Sequence, residues 1–356
     1  MSEPDPVPVP PAPHKRRKRY AGRNPRKFSE KYKEHDPARY AGDVAKVLAS
    51  GKTPAGSHRP ILVAEILAAL ALRPGDIVVD CTLGYGGHAH EILAKISPGG
   101  RLIGLDVDPI EQPKTVARLR AAGWDENVFL PVRSNFAGLP RVLAEQGLTG
   151  ADAILADLGI SSMQLDDPAR GFTFKDDGPL DLRLNPTREP SAASWLARVD
   201  EADLAAALAG NADEPKAALI ARELVARRTA TPFTRTQQLA GALREILHLP
   251  KPGRGVETDD TPVRRVFQAL RIAVNDEFGV LDRFLCNLPA CLNPGGRVAI
   301  LTFHSGEDRR VKQAFKAGLN DGIYSSISEE VIRAGREELR ANPRSSSAKL
   351  RWAVRS

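Results

Sequence analysis

Beyond His58 the chain switches repeatedly between two kinds of apolar pattern. Short, nearly continuous apolar runs appear at Ile77-Val-Val, Leu102-Ile-Gly-Leu, Val128–Val132, Ala153-Ile-Leu-Ala and Arg297–Phe303. Their length and β-branched content predict strands covered on both faces of a parallel sheet. Between them apolar residues recur at helical spacing, as Ile61, Ala64, Ile66 and Leu67 behind Pro60, Ile92, Leu93 and Ile96, and Val116 and Leu119. A helix around Leu143 precedes the fourth run, a long helix is predicted over Val263–Leu288, and another passes through Val311 and Phe315. A last strand-like run covers Ala348–Val354. Strands alternating with helices predict an open α/β sheet, whose ligands bind beyond the strand carboxyl ends. Asp80, Asp106, Asn135 and Asp157 all fall at such ends.

The pattern changes between about 190 and 248, where alanine and leucine dominate and no strand signal occurs. Helix-start signals recur there: Ser191 before Trp195-Leu196, Asp200 before Leu204 and Leu208, and Thr234 or Thr236 before Leu239 and Leu243. The expected organisation is therefore a Pro-rich and basic, disordered tail over 1–57 and a first part of the sheet domain over 58–165. A mostly helical insertion over 166–262 follows, closing near the loop Pro250–Asp260, and the sheet domain resumes over 263–356.

The organising stretch is Ile77-Val-Val-Asp-Cys-Thr-Leu-Gly-Tyr-Gly-Gly-His88, a strand that turns on three glycines into a helix. Glycines allow a tight turn and close approach of backbone to ligand, and the helix start presents its amides to what sits there. Gly84-x-Gly86-x-x-Ala89 formally satisfies a dinucleotide pattern, with Asp106 about twenty residues on. A nicotinamide-dependent oxidoreductase is thus one reading. Asp106 suits the ribose diol of S-adenosylmethionine equally, and Asp80 at the first strand end could face that donor's ammonium group. A plain structural turn is the third reading.

Length and composition narrow the class. A 356-residue chain with 42% hydrophobic residues has ample material for a core. No apolar run approaches the ~20 residues that cross a bilayer, and no signal-peptide pattern opens the chain. Cys81, Cys286 and Cys291 show no Cys-x-x-Cys spacing, which indicates neither a disulfide framework nor a zinc site. A cytoplasmic location and no metal are the corresponding expectations. The net charge of +7 points to a polyanionic partner. The tail run His14-Lys-Arg-Arg-Lys-Arg-Tyr20, including Lys15, Arg16 and Arg17, reads either as an arm contacting RNA phosphates or as a solvated charged tail.

Six co-linear blocks resemble the bacterial 16S rRNA cytosine-N4 methyltransferase family. They are Thr82-Leu-Gly-Tyr-Gly-Gly-His88, Asp157-Leu-Gly-Ile-Ser-Ser-Met-Gln164, Arg170-Gly-Phe-Thr-Phe, Gly178-Pro-Leu-Asp-Leu-Arg, Phe267-Gln-Ala-Leu-Arg-Ile-Ala-Val-Asn275 and Thr302-Phe-His-Ser-Gly-Glu-Asp-Arg309. The resemblance implies a class I, Rossmann-like methyltransferase sheet with an inserted helical domain and S-adenosylmethionine as donor. It further implies methylation of a cytidine in the decoding region of 16S rRNA or the small ribosomal subunit. Cofactor contacts would fall on Gly86, Gly87, His88, Asp106, Phe136, Asp157 and Gln164. The chain departs from the family where Tyr85 replaces Arg, Gly306 replaces Leu, and Ser345-Ser-Ser replaces a second Arg. Asn211-Ala-Asp-Glu-Pro also replaces a Tyr-Gly-Glu-Glu-like segment, and the basic tail is extra.

Methyl transfer to a cytosine amino group needs in-line positioning and an acceptor for the amino hydrogens. Asp157 and the Ser161 and Ser162 hydroxyls stand where other amino methyltransferases carry that acceptor, with turn capping as the structural alternative for Asp157 and helix capping for the two serines. His304 can accept a proton, bind phosphate or line the base pocket, or serve structurally. Arg271 and Asn275 share a helix face and can reach RNA or pack against the sheet. Acid pairs Asp166-Asp167 and Glu307-Asp308 are expected on solvated surfaces. A non-catalytic RNA-binding assembly factor on the same fold is the remaining alternative.

Overall fold

The computed structural model describes residues 60–250 and 259–356. The expected tail, with Lys15, Arg16 and Arg17, and most of the expected loop Pro250–Asp260 lie outside these residues. The strand–helix alternation read from the sequence is realised as α1 (Val63–Leu70), β1 (Ile77–Asp80), α2 (Gly87–Ile96), β2 (Arg101–Asp106), α3 (Glu111–Ala121), β3 (Phe129–Arg133), α4 (Leu139–Glu145) and β4 (Ala151–Asp157). Six helices follow: α5 (Ser162–Asp166), α6 (Ala192–Arg198), α7 (Glu201–Ala212), α8 (Ala217–Arg228), α9 (Thr236–Ile246) and α10 (Thr261–Asn275). The sheet is then completed through α11 (Glu277–Cys291), β5 (Leu292–Thr302), α12 (Ser305–Asn320), β6 (Tyr324–Ile327), α13 (Arg336–Ala341) and β7 (Lys349–Arg355).

The seven strands lie in the order β3-β2-β1-β4-β5-β7-β6. The first five are parallel, and β7 runs antiparallel to both β5 and β6. This is the mixed α/β, Rossmann-like sheet expected of a class I methyltransferase. Alternation along each strand divides its residues between two cores. Val78, Leu102, Ala153 and Ala299 pack with α1 and α2, whereas Val79, Ile103, Ile154 and Val298 pack with α4, α11 and α12. A third core joins α6 to α10 with Phe172, Leu180 and Leu182, away from the sheet.

Two expectations need correction. The predicted helix Val263–Leu288 is two helices, broken at Asp276, whose backbone is left-handed at φ 50°. The break lets Val266 and Leu270 serve the helical core while Leu281 and Phe284 serve the sheet. Ser191 and Asp200 cap α6 and α7 as expected, accepting from the amides of Ser194 and Asp203. Neither Thr234 nor Thr236 caps α9. Thr236 is fully buried, and its hydroxyl oxygen instead accepts from Gly178 N at 3.1 Å.

That bond explains two of the sequence blocks physically. A Cβ on Gly178 would collide with the carbonyl oxygen of Pro168, and one on Gly171 (φ 73°) would collide with that of Pro179. The segments 168–171 and 178–181 therefore interlock backbone to backbone, and α9 is pinned to the joint by Thr236. Gly178→Ala should destabilise the protein by about 3 kcal/mol, the upper end for overpacking a site that cannot relax. Urea denaturation checks this, and an unchanged midpoint would refute the interlock.

Candidate active site

Strand order reverses between β1 and β4, so the connections leaving their carboxyl ends diverge and open a crevice. A cavity of about 1130 Å³ fills it, running from the glycine loop past Asp106, Phe136 and Asp157 to α10 and His304. Gly86, Gly87, His88, Ser161, Gln164, Arg271 and Asn275 also line it, so the described candidate residues converge on one space.

The glycine loop is held from three sides. Asp106 accepts from Gly84 N at 2.7 Å and from Asp108 N at 2.8 Å. Thr115 donates to Gly84 O at 2.5 Å, and Gly86, at φ 82°, leaves no room for a side chain against Thr115. Thr82 ties the loop to β4 by accepting from Asp157 N at 2.6 Å. α2 starts at Gly87, so the positive end of its dipole adjoins the cavity.

Acidic groups dominate this end. Asp80 is 2% exposed and absent from the cavity wall, unlike the sequence expectation that it faces a ligand. Burial pushes its carboxyl up to about 6, against the lowering influence of His88 and the Thr82 amide, with Asp157 and Asp106 adding to the rise. Burial likewise pushes Asp106 up to about 6, opposed by the amides of Asp108 and Gly84. Burial alone would lower His88, but its interaction with Asp157 and the charge of Asp80 outweigh it and raise the imidazole. His88 Nε2 lies 3.5 Å from Asp157 Oδ2 without forming a hydrogen bond, and Asp157 Oδ1 is buried with no partner.

Across the crevice, both ring nitrogens of His304 are buried without a hydrogen bond. Its Nε2 is 3.2 Å from Glu307 Oε1. Glu307 is 3% exposed, which overturns the expectation of a solvated acid pair. It accepts from Phe303 N at 2.9 Å; burial works to raise its carboxyl, but His304 and Arg271 hold it below the ordinary range. Asp308 turns away to Arg351 at 2.7 Å.

Three candidates are engaged within the chain. Ser161 caps α5, its hydroxyl accepting from Gln164 N at 3.2 Å. Arg271 forks onto Glu277 with two hydrogen bonds of 2.8 Å. Asn275 accepts from Leu184 N at 2.8 Å and donates to Leu182 O and Arg271 O. Two further residues, Asp108 and Arg170, complete the site without a role legible in the sequence. Asp108 is wholly buried, and its Oδ2 accepts from both Gln164 Nε2 and Arg170 Nη1 at 2.7 Å. The one available signal was Asp108 following a strand-end acid by two residues.

A reversal crevice with a glycine loop and a strand-end acid defines a nucleotide-type cofactor site on an α/β sheet. The sequence model of the MraW methylase family matches residues 55–356, and the chain belongs to that family. It is 47% identical over 344 residues to ribosomal RNA small subunit methyltransferase H 1 of Lachnoclostridium phytofermentans, covering 96% of this chain and 93% of the relative. It is 46% identical to methyltransferase H 2 of Alkaliphilus metalliredigens (96% and 97% covered) and 42% identical to methyltransferase H of Thioalkalivibrio sulfidiphilus (86% and 99%). Family membership removes the oxidoreductase reading. The family model leaves 1–54 outside, yet the match to the Lachnoclostridium phytofermentans relative covers 96% of the chain and so reaches into this tail.

The departures have physical compensations. A Cβ on Gly306 would sit 2.5 Å from Phe278 Cζ, so the Phe278 ring occupies the space of the missing side chain. Arg118 stacks its guanidinium 3.6 Å from the centre of the Tyr85 ring, restoring a cation beside the loop. Asn211 donates to Ala269 O, securing α7 to α10.

A raised carboxylate contributes stability that is present below its unfolded value of 3.8 and lost as pH rises through about 6. Asp80→Asn keeps an acceptor for Thr82 N and removes that loss. The variant should exceed the parent in stability at pH 8 by at most ~3 kcal/mol and show no gain at pH 4. Urea unfolding at both pH values decides, and a variant no more stable at pH 8 would refute the assignment.

Proposed function

We propose that the protein transfers a methyl group from S-adenosylmethionine to the N4 amino group of a cytidine in small-subunit rRNA. The observation that carries this reading is the pair of unpartnered polar groups at neighbouring strand ends. Asp157 Oδ1 and His304 Nδ1 are buried without a hydrogen-bond partner in a cavity continuous with the glycine loop, while His304 Nε2 faces Glu307. Buried polar atoms left unpaired are costly, and a ligand supplies the missing bonds. The names carried by the relatives supply the RNA substrate.

When bound, S-adenosylmethionine supplies an electrophilic methyl on a sulfonium cation. Gly86, Gly87 and His88 offer loop backbone, Asp106 retains lone pairs for a ribose diol, and Phe136 offers an apolar wall, being packed edge-on against Phe284. The acidic surroundings favour a cationic donor over its neutral thioether product. Gln164 orders the adjoining turn through its bond to Asp108. Asp157 accepts from the amino hydrogens as N4 becomes positive, and the proton lost from N4 passes to Asp157 or His304 and then to water. Ser161, Arg271 and Asn275 shape the acceptor side, and the helical segment forms its cover.

Arg133, Lys175, Arg188 and Arg264 line the cavity, are exposed, and have no carboxylate at ion-pair distance among the described residues. They support a phosphate-binding rim; Lys15, Arg16 and Arg17 are read separately as a basic run that contacts RNA phosphates.

Labelled donor and small subunits from a strain lacking the protein should yield label in N4-methylcytidine after digestion to nucleosides. Label in 5-methylcytidine or N6-methyladenosine would overturn the acceptor. Asp157→Asn should slow transfer on the order of 100-fold while RNA affinity stays within about twofold.

Replacing the four rim cations by alanine should flatten the dependence of RNA affinity on salt. The slope of log K against log salt should become shallower by about one unit for each phosphate no longer neutralised. Binding of S-adenosylhomocysteine should not change. An unaltered salt slope would return these residues to ordinary surface.

A further inference from the structure

Asp108 and Arg170 form a buried ion pair, 0% and 7% exposed, between two parts of the cavity wall. On one side Asp108 belongs to the donor end. Its backbone N–H donates to Asp106, which also holds Gly84, and its Oδ1 accepts from Ile110 N and Glu111 N at the start of α3. Its Oδ2 is shared by Gln164 and Arg170.

On the other side Arg170 reaches the acceptor wall. Its Nη2 donates to Arg183 O at 3.1 Å and Leu184 O at 2.9 Å. Leu184 N in turn donates to Asn275, which also binds Leu182 O and so ties this wall to the end of α10. One planar guanidinium therefore holds a carboxylate of the donor end and two carbonyls of the facing wall. A buried pair of this kind contributes little net stability, because desolvation offsets attraction, so its geometry is the property to explain.

We propose that Arg170 is a positioning residue that couples occupancy of the donor pocket to placement of the wall 182–185 against the acceptor. The proposal rests on the donor assignment above. A ligand hydrogen-bonded to Asp106 fixes the turn Asp106-Val107-Asp108, and Asp108 passes that order through Arg170 to the carbonyls of 183 and 184. Ordering is reciprocal, so an acceptor resting on the wall also favours a filled donor pocket.

The test is amide hydrogen exchange on the full-length protein with and without S-adenosylhomocysteine. The expected result is slowing across 182–185 by about tenfold, within the usual range for coupled sites. Arg170→Lys keeps a positive charge beside Asp108, but one ammonium cannot span the carboxylate and both carbonyls. Expected for this variant are S-adenosylhomocysteine affinity within about threefold of the parent, loss of the protection at 182–185, and a kcat lowered about tenfold at unchanged donor KM. Ligand binding that leaves exchange at 182–185 unchanged in the parent overturns the coupling, as does equal protection and kcat in Arg170→Lys. If the variant does not fold, the parent measurement decides alone. Absence of S-adenosylhomocysteine binding by the parent overturns the donor assignment together with the coupling.

Discussion

The reversal of strand order between β1 and β4 is the constraint on which the rest depends. Parallel strands end on the same side, and connections leaving in opposite directions must leave a gap there. The strand-end candidates enter through that gap: the glycine loop after β1, Asp106 at the end of β2, Phe136 after β3, Asp157 at the end of β4 and His304 after β5. The helical segment leaves the sheet after β4, beside the gap, and its Phe172, Leu184 and Phe267 line the cavity.

Holding carboxylates at the ends of β1 and β2 has an energetic cost that the fold bears elsewhere. Burial drives the carboxyls of Asp80 and Asp106 upward, so at neutral pH each contributes less stability than an uncharged side chain there would. Two well-covered sheet faces and an independent helical core offset that cost. Natural proteins commonly hold such strain at functional sites, where a ligand of opposite charge relieves it.

The sheet and the strand-end residues were legible because periodicity and terminal acids are local properties of the chain. The break at Asp276 was not, since Val274 and Leu281 keep a helical spacing across it and only the existence of two cores requires the turn. The short β6 was missed because Tyr324-Ser-Ser-Ile alternates too weakly to register. Arg271 and Asn275 could be placed on one helix face, but not oriented inward to Glu277 and the wall at 182–184. Arg170 finds Asp108 62 residues away, a pairing that no spacing rule contains.

The joint at Asp276 also bears on how this chain can vary in length. α10 and α11 follow each other with one residue between them, yet each presents an apolar stripe to a different core. Successive helical residues are about 100° apart around the axis, as 3.6 per turn requires. An insertion or deletion at this point would rotate one stripe away from its core while leaving the other in place. Here the helical core and the sheet core are held in phase across a single residue, Asp276.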